Sequence, residues 1–128
     1  MTTTLTDSRE TLSALTDRFV DAFNRQDIDA VMSFFAEDAV YRDPYGKSHE
    51  GLAAIRKAFE PVLNGALGKI NFAGEDRFID AEAGKVMDSW TLHMHMGEGP
   101  EKEASMTGLD LLTFKNDKLV RKTTYRRG

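Results

Sequence analysis

Two aspartates stand out by their settings. Asp43 lies in "VYRDPYG", residues 40–46, at the end of a strand-like run and directly before Pro44. Asp110 lies in "MTGLDLLTF", residues 106–114, in the middle of an apolar run. Carboxyl groups suit proton transfer beside a carbonyl, and two of them in unlike surroundings can divide into a base and an acid. Asp before Pro is also ordinary turn chemistry, and taken alone Asp43 reads first as a turn residue. Parity along the short strand puts Tyr41 and Asp43 on one face. If that face looks into a pocket, Asp43 is a candidate general base beside a phenol.

Alternation places Met106, Gly108, Asp110, Leu112 and Phe114 on one strand face, with Leu109 and Leu111 on the other. Both faces are largely apolar, and an isolated buried carboxylate is costly. Two outcomes are open. Burial can favour the neutral acid, a hydrogen-bond donor able to stabilise an oxyanion. Alternatively, Asp110 pairs with Lys122 or Arg126 of the neighbouring strand.

The stretch "GKVMDSWTLHMHMG", residues 84–97, alternates as well. Asp88, Trp90, Leu92, Met94 and Met96 share one face, which is expected to line an apolar pocket with Trp90 as its broadest surface. Otherwise Trp90 is simply core. His93 and His95 share the opposite face, and with His49 they raise the question of a metal. No carboxylate supports them on that face, so no metal is expected. The C-terminal "RKTTYRRG" reads as a solvated basic edge, unless Lys122, Thr124 and Arg126 face the pocket. A bulge would reverse that parity, so both readings stay open. No P-loop, dinucleotide fingerprint or Ser-His-Asp spacing is present, and no cofactor is expected.

The elements that must position these residues follow from periodicity. Leu12, Leu15, Phe19, Ala22 and Phe23 mark a first helix, with Asp7 and Glu10 as a capping-box-like start. Asp27 can cap a second helix carrying Ile28, Val31, Phe34 and Phe35. Residues 39–43 form a short strand. A third helix spans about residues 50–63, where Pro61 is expected to kink or shorten it. After Gly65 the period changes to two, and strands are expected at about 69–80, 84–97, 102–115 and 118–127. The sum is an α+β domain, three helices on a strongly curved, mainly antiparallel sheet with a pocket at its open end.

The chain has 128 residues, enough for one domain, and residues 1–6 are expected to be disordered. A formal net charge of −4 disfavours general nucleic-acid binding. With no cysteine, disulfides, thiolate metal sites and cysteine nucleophiles are excluded. Neither a signal-peptide pattern nor an apolar run of membrane-spanning length is visible, so a cytoplasmic protein is expected. The apolar outer face of the Asp110 strand needs cover, and a second copy of the chain is the simplest one, so a homodimer is expected.

Four stretches, "FFAEDAVYRDPYG", "HEGLAAIRKAF", "GLDLLTF" and "DKLVRKTTYRR", carry a resemblance. The chain resembles the nuclear-transport-factor-two-like superfamily, in its ketosteroid isomerase and SnoaL-like polyketide cyclase branch, from about Arg18 to the C-terminus. The resemblance implies a cone-shaped α+β barrel. It also implies a cofactor-independent isomerase, cyclase or dehydratase acting on a small apolar carbonyl compound, steroid- or polyketide-like. Asp43 then matches the family's proton-shuttling base, and Asp110 its protonated oxyanion donor. Phe19, Tyr41, Phe59, Trp90, Leu92, Met94 and Phe114 are the expected substrate-binding residues. One departure is plain. The family's oxyanion tyrosine falls at Phe19, and two further family tyrosines fall at Phe35 and Phe59. A phenyl ring donates no hydrogen bond, and losing one oxyanion donor costs ~10²–10³ in rate. Tyr41, Tyr45 or a cation of the last strand could replace it. The alternative is a non-catalytic ligand-binding or dimeric interaction domain of the same fold. Losing that tyrosine favours the alternative, and keeping both carboxylates opposes it.

Overall fold

The computed structural model describes residues 5–97 and 99–127. Helices α1 (Leu5–Asn24), α2 (Ile28–Met32) and α3 (Leu52–Leu63) pack on one six-stranded sheet. Its strands are β1 (Phe35–Arg42), β2 (Ser48–Glu50), β3 (Lys69–Asp80), β4 (Lys85–His95), β5 (Glu103–Lys115) and β6 (Lys118–Arg127). The spatial order is β2-β1-β6-β5-β4-β3, and only β1 with β6 is parallel. This is the expected α+β architecture. The sheet does not close into a barrel, because β2 and β3 stand as its two edges. The expected disordered start falls largely on residues 1–4, which lie outside the described residues. None of the described helices is long and apolar enough to cross a membrane.

The apolar spacing of α1 does what periodicity predicts. Leu12, Leu15, Phe19, Ala22 and Phe23 are all buried. Phe19 meets Phe23, Phe34 and Phe35 edge-on, with ring centroids 5.1, 5.5 and 5.6 Å apart. Such pairs add to the burial of the rings themselves. Asp7 lies inside α1, not at its start. Asp27 does cap α2, its carboxylate accepting from the Ala30 amide at 3.1 Å.

Helix α2 is shorter than expected. Phe34 and Phe35 leave it because β6 claims them: the Leu119 amide donates to the Phe34 carbonyl at 2.7 Å, and Phe35 pairs with Leu119 in the sheet. A tertiary partner outweighs local helical spacing here. Pro61 sits near the end of α3, which stops two residues later. After a register shift, Tyr41 lies beside Lys122 in the parallel pair β1–β6. A second shift, between Thr113 and Phe114, resets the parity of β6, so Leu119 and Lys122 both point inward.

Candidate active site

One cavity of ≈ 440 Å³ opens between the helices and the inner face of the sheet. That is within the usual range for a small-molecule site. Its walls are mostly apolar: Phe23, Phe59, Phe72, Trp90, Leu92 and Met94 among them. Gly108 helps shape it. A Cβ there would lie 2.7 Å from Trp90 Cη2, so only glycine lets the indole reach across β5.

Asp43 enters the cavity from the turn between β1 and β2. Pro44 and Gly46 shape this turn. The Gly46 amide closes it onto the Asp43 carbonyl at 3.0 Å, with Gly46 at φ +88°. Asp43 Oδ1 accepts from the Tyr45 amide at 2.9 Å and the Lys47 amide at 3.0 Å. Its Oδ2 lies 3.0 Å from His49 Nε2. Burial pushes the Asp43 carboxyl up, but the His49 hydrogen bond, the two amides and the His49 charge outweigh it, and its pKa falls below the ordinary value. His49 in turn stacks on Tyr41, centroids 5.5 Å apart, its register partner across the hairpin. The turn and site readings of Asp43 are one arrangement: the amides that define the turn hold the carboxylate.

Asp110 sits at the other kind of position, mid-strand. Its Oδ1 accepts from the Thr124 hydroxyl at 2.7 Å and lies 3.3 Å from Lys122 Nζ. Lys122 Nζ donates to Thr124 Oγ1 at 2.8 Å. The lysine is only 5% exposed and lies over the Tyr41 ring at 4.6 Å, with Phe59 and Phe23 at 5.3 and 5.6 Å. A buried ammonium needs such partners: one carboxylate, one hydroxyl and aromatic faces. Both contacts ask Asp110 to accept. Of the two arrangements open for Asp110, the structure holds the pairing with Lys122, whose Nζ is a donor at this end of the cavity.

A third carboxylate, Asp88, faces the cavity from β4, paired in register with Asp110. It accepts from Arg77 Nε at 2.8 Å, while Arg77 Nη1 reaches back to Asp17 at 2.8 Å and to Ser13 on α1. Burial pushes the Asp88 carboxyl up and Arg77 pulls it back. The neighbouring charges of Asp110 and Asp17 add to the push, and the net is upward.

The cavity thus gathers Asp43, Asp110, Phe19, Tyr41, Phe59, Trp90, Leu92 and Met94. Phe114 is the exception. Strand parity turns it inward, but the cavity ends near Asp110, and Phe114 is buried in the core beyond the β5–β6 bulge, beside Leu119. The open question about β6 is settled by that bulge: Lys122, Thr124 and Arg126 all line the cavity. His93 and His95 are exposed while His49 is in the cavity, and among the described residues no three metal-ligating side chains converge. Sequence reasoning passed over Asp88 and His49 as proton-handling groups. Asp88 shares the parity of Trp90, and His49 follows Asp43 by six residues across a tight turn. Both signals were present.

The sequence profile of the SnoaL-like domain matches residues 16–122. Similar solved structures share the architecture. SalBIII, an epoxide hydrolase/cyclase-like enzyme of pyran ring formation in the polyether salinomycin, aligns with TM-score 0.79 at 19% identity, over 92% of each chain. A Xanthomonas campestris pv. campestris protein provisionally assigned as a polyketide cyclase aligns with TM-score 0.78 at 20% identity, over 94% of this chain and 93% of that one. An NTF2-like protein of unknown function from Mesorhizobium loti aligns with TM-score 0.76 at 21% identity, over 95% of each chain. At these identities the likeness is one of fold.

Proposed function

The chain belongs to the SnoaL-like domain family, and from that premise we propose a cofactor-independent acid–base enzyme of the isomerase, cyclase or dehydratase type. Its substrate is a small, apolar, carbonyl-containing molecule. The observation that carries the reading is one apolar cavity holding a proton-accepting pair, Asp43–His49, and a buried cation, Lys122. In the proposed step the Asp43–His49 pair takes a proton from the carbon next to the carbonyl. The C–H electron pair moves into the enolate, and Lys122 Nζ donates to the oxyanion, assuming the role that a ring at Phe19 cannot fill. The proton then returns to a different carbon or to a leaving oxygen. The His49 hydrogen bond and the two turn amides keep Asp43 ionised, the form that accepts a proton.

The test is deuterium exchange at the α-carbon of apolar cyclic ketones, followed by NMR. Asp43→Asn should slow exchange by ~10²–10⁴. Exchange as fast as wild type in a folded Asp43→Asn protein removes the base assignment. Ligand binding without turnover is the second reading, favoured by the depressed pKa of Asp43 and by Phe19. It predicts binding of the same ketones with no exchange in the wild type.

A homodimer belongs to the same proposal. The outer face of β5 presents Leu109 and Leu111, in register with Tyr125 of β6 and Met87 of β4. Sedimentation equilibrium should give a dimer mass, and Leu109→Lys should shift it to monomer. A monomeric wild type rejects this part alone.

A further inference from the structure

The charges around the cavity pair off one by one. Asp43 has His49, Asp88 has Arg77, and Asp110 has Lys122. Arg126 is different. It lines the cavity two residues beyond Thr124, toward the end of β6, and among the described residues no carboxylate lies within ion-pair distance of it. Its side-chain partner is neutral: Arg126 Nη1 donates to the Tyr45 hydroxyl oxygen at 3.1 Å. Tyr45 comes from the Asp43 turn and is 79% exposed. The mouth of an apolar cavity therefore carries a largely exposed aromatic ring and a guanidinium that, among the described residues, has no carboxylate counter-ion. The phenol holds one nitrogen and leaves the rest of the planar fork available.

We propose that the ligand of this cavity is an organic acid, with its apolar body inside and a carboxylate at the mouth on Arg126, covered by Tyr45. A guanidinium fork matches a carboxylate in shape as well as charge. The inference deepens the proposed function and rests on it for the location of the site. It adds a substrate class, apolar keto acids, and a specificity-determining residue that takes no part in proton transfer.

The test compares two probes of nearly equal size, 1-naphthaleneacetic acid and the neutral 1-naphthaleneacetamide. Binding is read from the fluorescence of Trp90, the chain's single tryptophan and part of the cavity wall. The acid should bind wild type about tenfold more tightly than the amide, the worth of one charge-assisted contact at a partly wet site. Added salt should shrink that preference. Arg126→Gln should bring acid and amide to equal affinity, and Arg126→Lys should keep part of the preference. Equal binding of acid and amide to wild type overturns the inference and leaves the apolar cavity standing. An acid preference that survives Arg126→Gln places the anion on Lys122 and also overturns it. If neither probe binds, the inference is overturned, while the proposed function is decided by the ketone exchange alone.

Discussion

Asp43 and Asp110 face one cavity but are held by opposite kinds of structure. Asp43 is held by local chain: two amides within four residues and a histidine six residues on. Asp110 is held by a neighbouring strand, through Thr124 and Lys122. The turn carboxylate has a donor-rich setting that any tight Asx turn can build. The strand carboxylate depends on long-range register, and losing its partner strands a charge in an apolar wall. The difference teaches where each group's stability and reactivity come from. The turn sets the angle and proton affinity of Asp43. The sheet sets which cation stands beside Asp110.

This contrast can be broken at several points. The largest effect belongs to the buried pair. Lys122→Met leaves Asp110 uncompensated and should cost ~3–5 kcal/mol in urea unfolding, whereas Lys122→Met with Asp110→Leu should recover most of it. A double variant as unstable as the single one would show that the two residues do not act as a unit. At the turn, Asp43→Ala should cost only about 1–2 kcal/mol, because the freed amides are exposed and return to water. A cost equal to that of Lys122→Met would erase the distinction. Phe114→Leu, beyond the end of the cavity, should lower stability by about 1 kcal/mol and leave ketone exchange unchanged. A change in exchange would bring Phe114 back into the site.

The smallest effect is the pH dependence, where Asp43 and Asp88 should show opposite signs. Asp43 is depressed in the folded state, so its contribution is present above the unfolded value of 3.8 and is lost as pH falls through the folded value. Asp88 is raised, so the folded state holds its proton longer, and stability is lost as pH rises from 3.8 through the folded value. Urea midpoints across the acid range test both. The advantage of wild type over Asp43→Asn should shrink toward acid, and that over Asp88→Asn should grow. Like signs for the two would sink the assignment of their settings.

Much of this was legible without coordinates. Period-two alternation placed Trp90, Leu92 and Met94 together, and it placed Asp110 on a face where a carboxylate needs a partner. Asp-Pro-Tyr-Gly announced a turn, and strand parity aimed Asp43 the same way as Tyr41. Other features were not legible, because they depend on contacts distant in the chain. Phe34 and Phe35 look helical by spacing and become strand only because Leu119 binds there. The parity of Lys122 cannot be counted through a bulge whose position the partner strands decide. Phe114 has inward parity, yet how far a cavity runs along a strand depends on what packs over it.

By itself, then, the sequence determined the periodicities, the turn, and the presence of acidic groups that apolar surroundings would have to satisfy. These depend on local sterics and on the cost of desolvation, both properties of neighbouring residues. Only the tertiary structure decided the pairings, His49 with Asp43, Arg77 with Asp88, Lys122 with Asp110, and the open hand of Arg126 at the mouth. Charge energies fall off within a few ångströms once solvent enters, so an identity at long sequence separation says nothing until the register of the sheet brings it into reach.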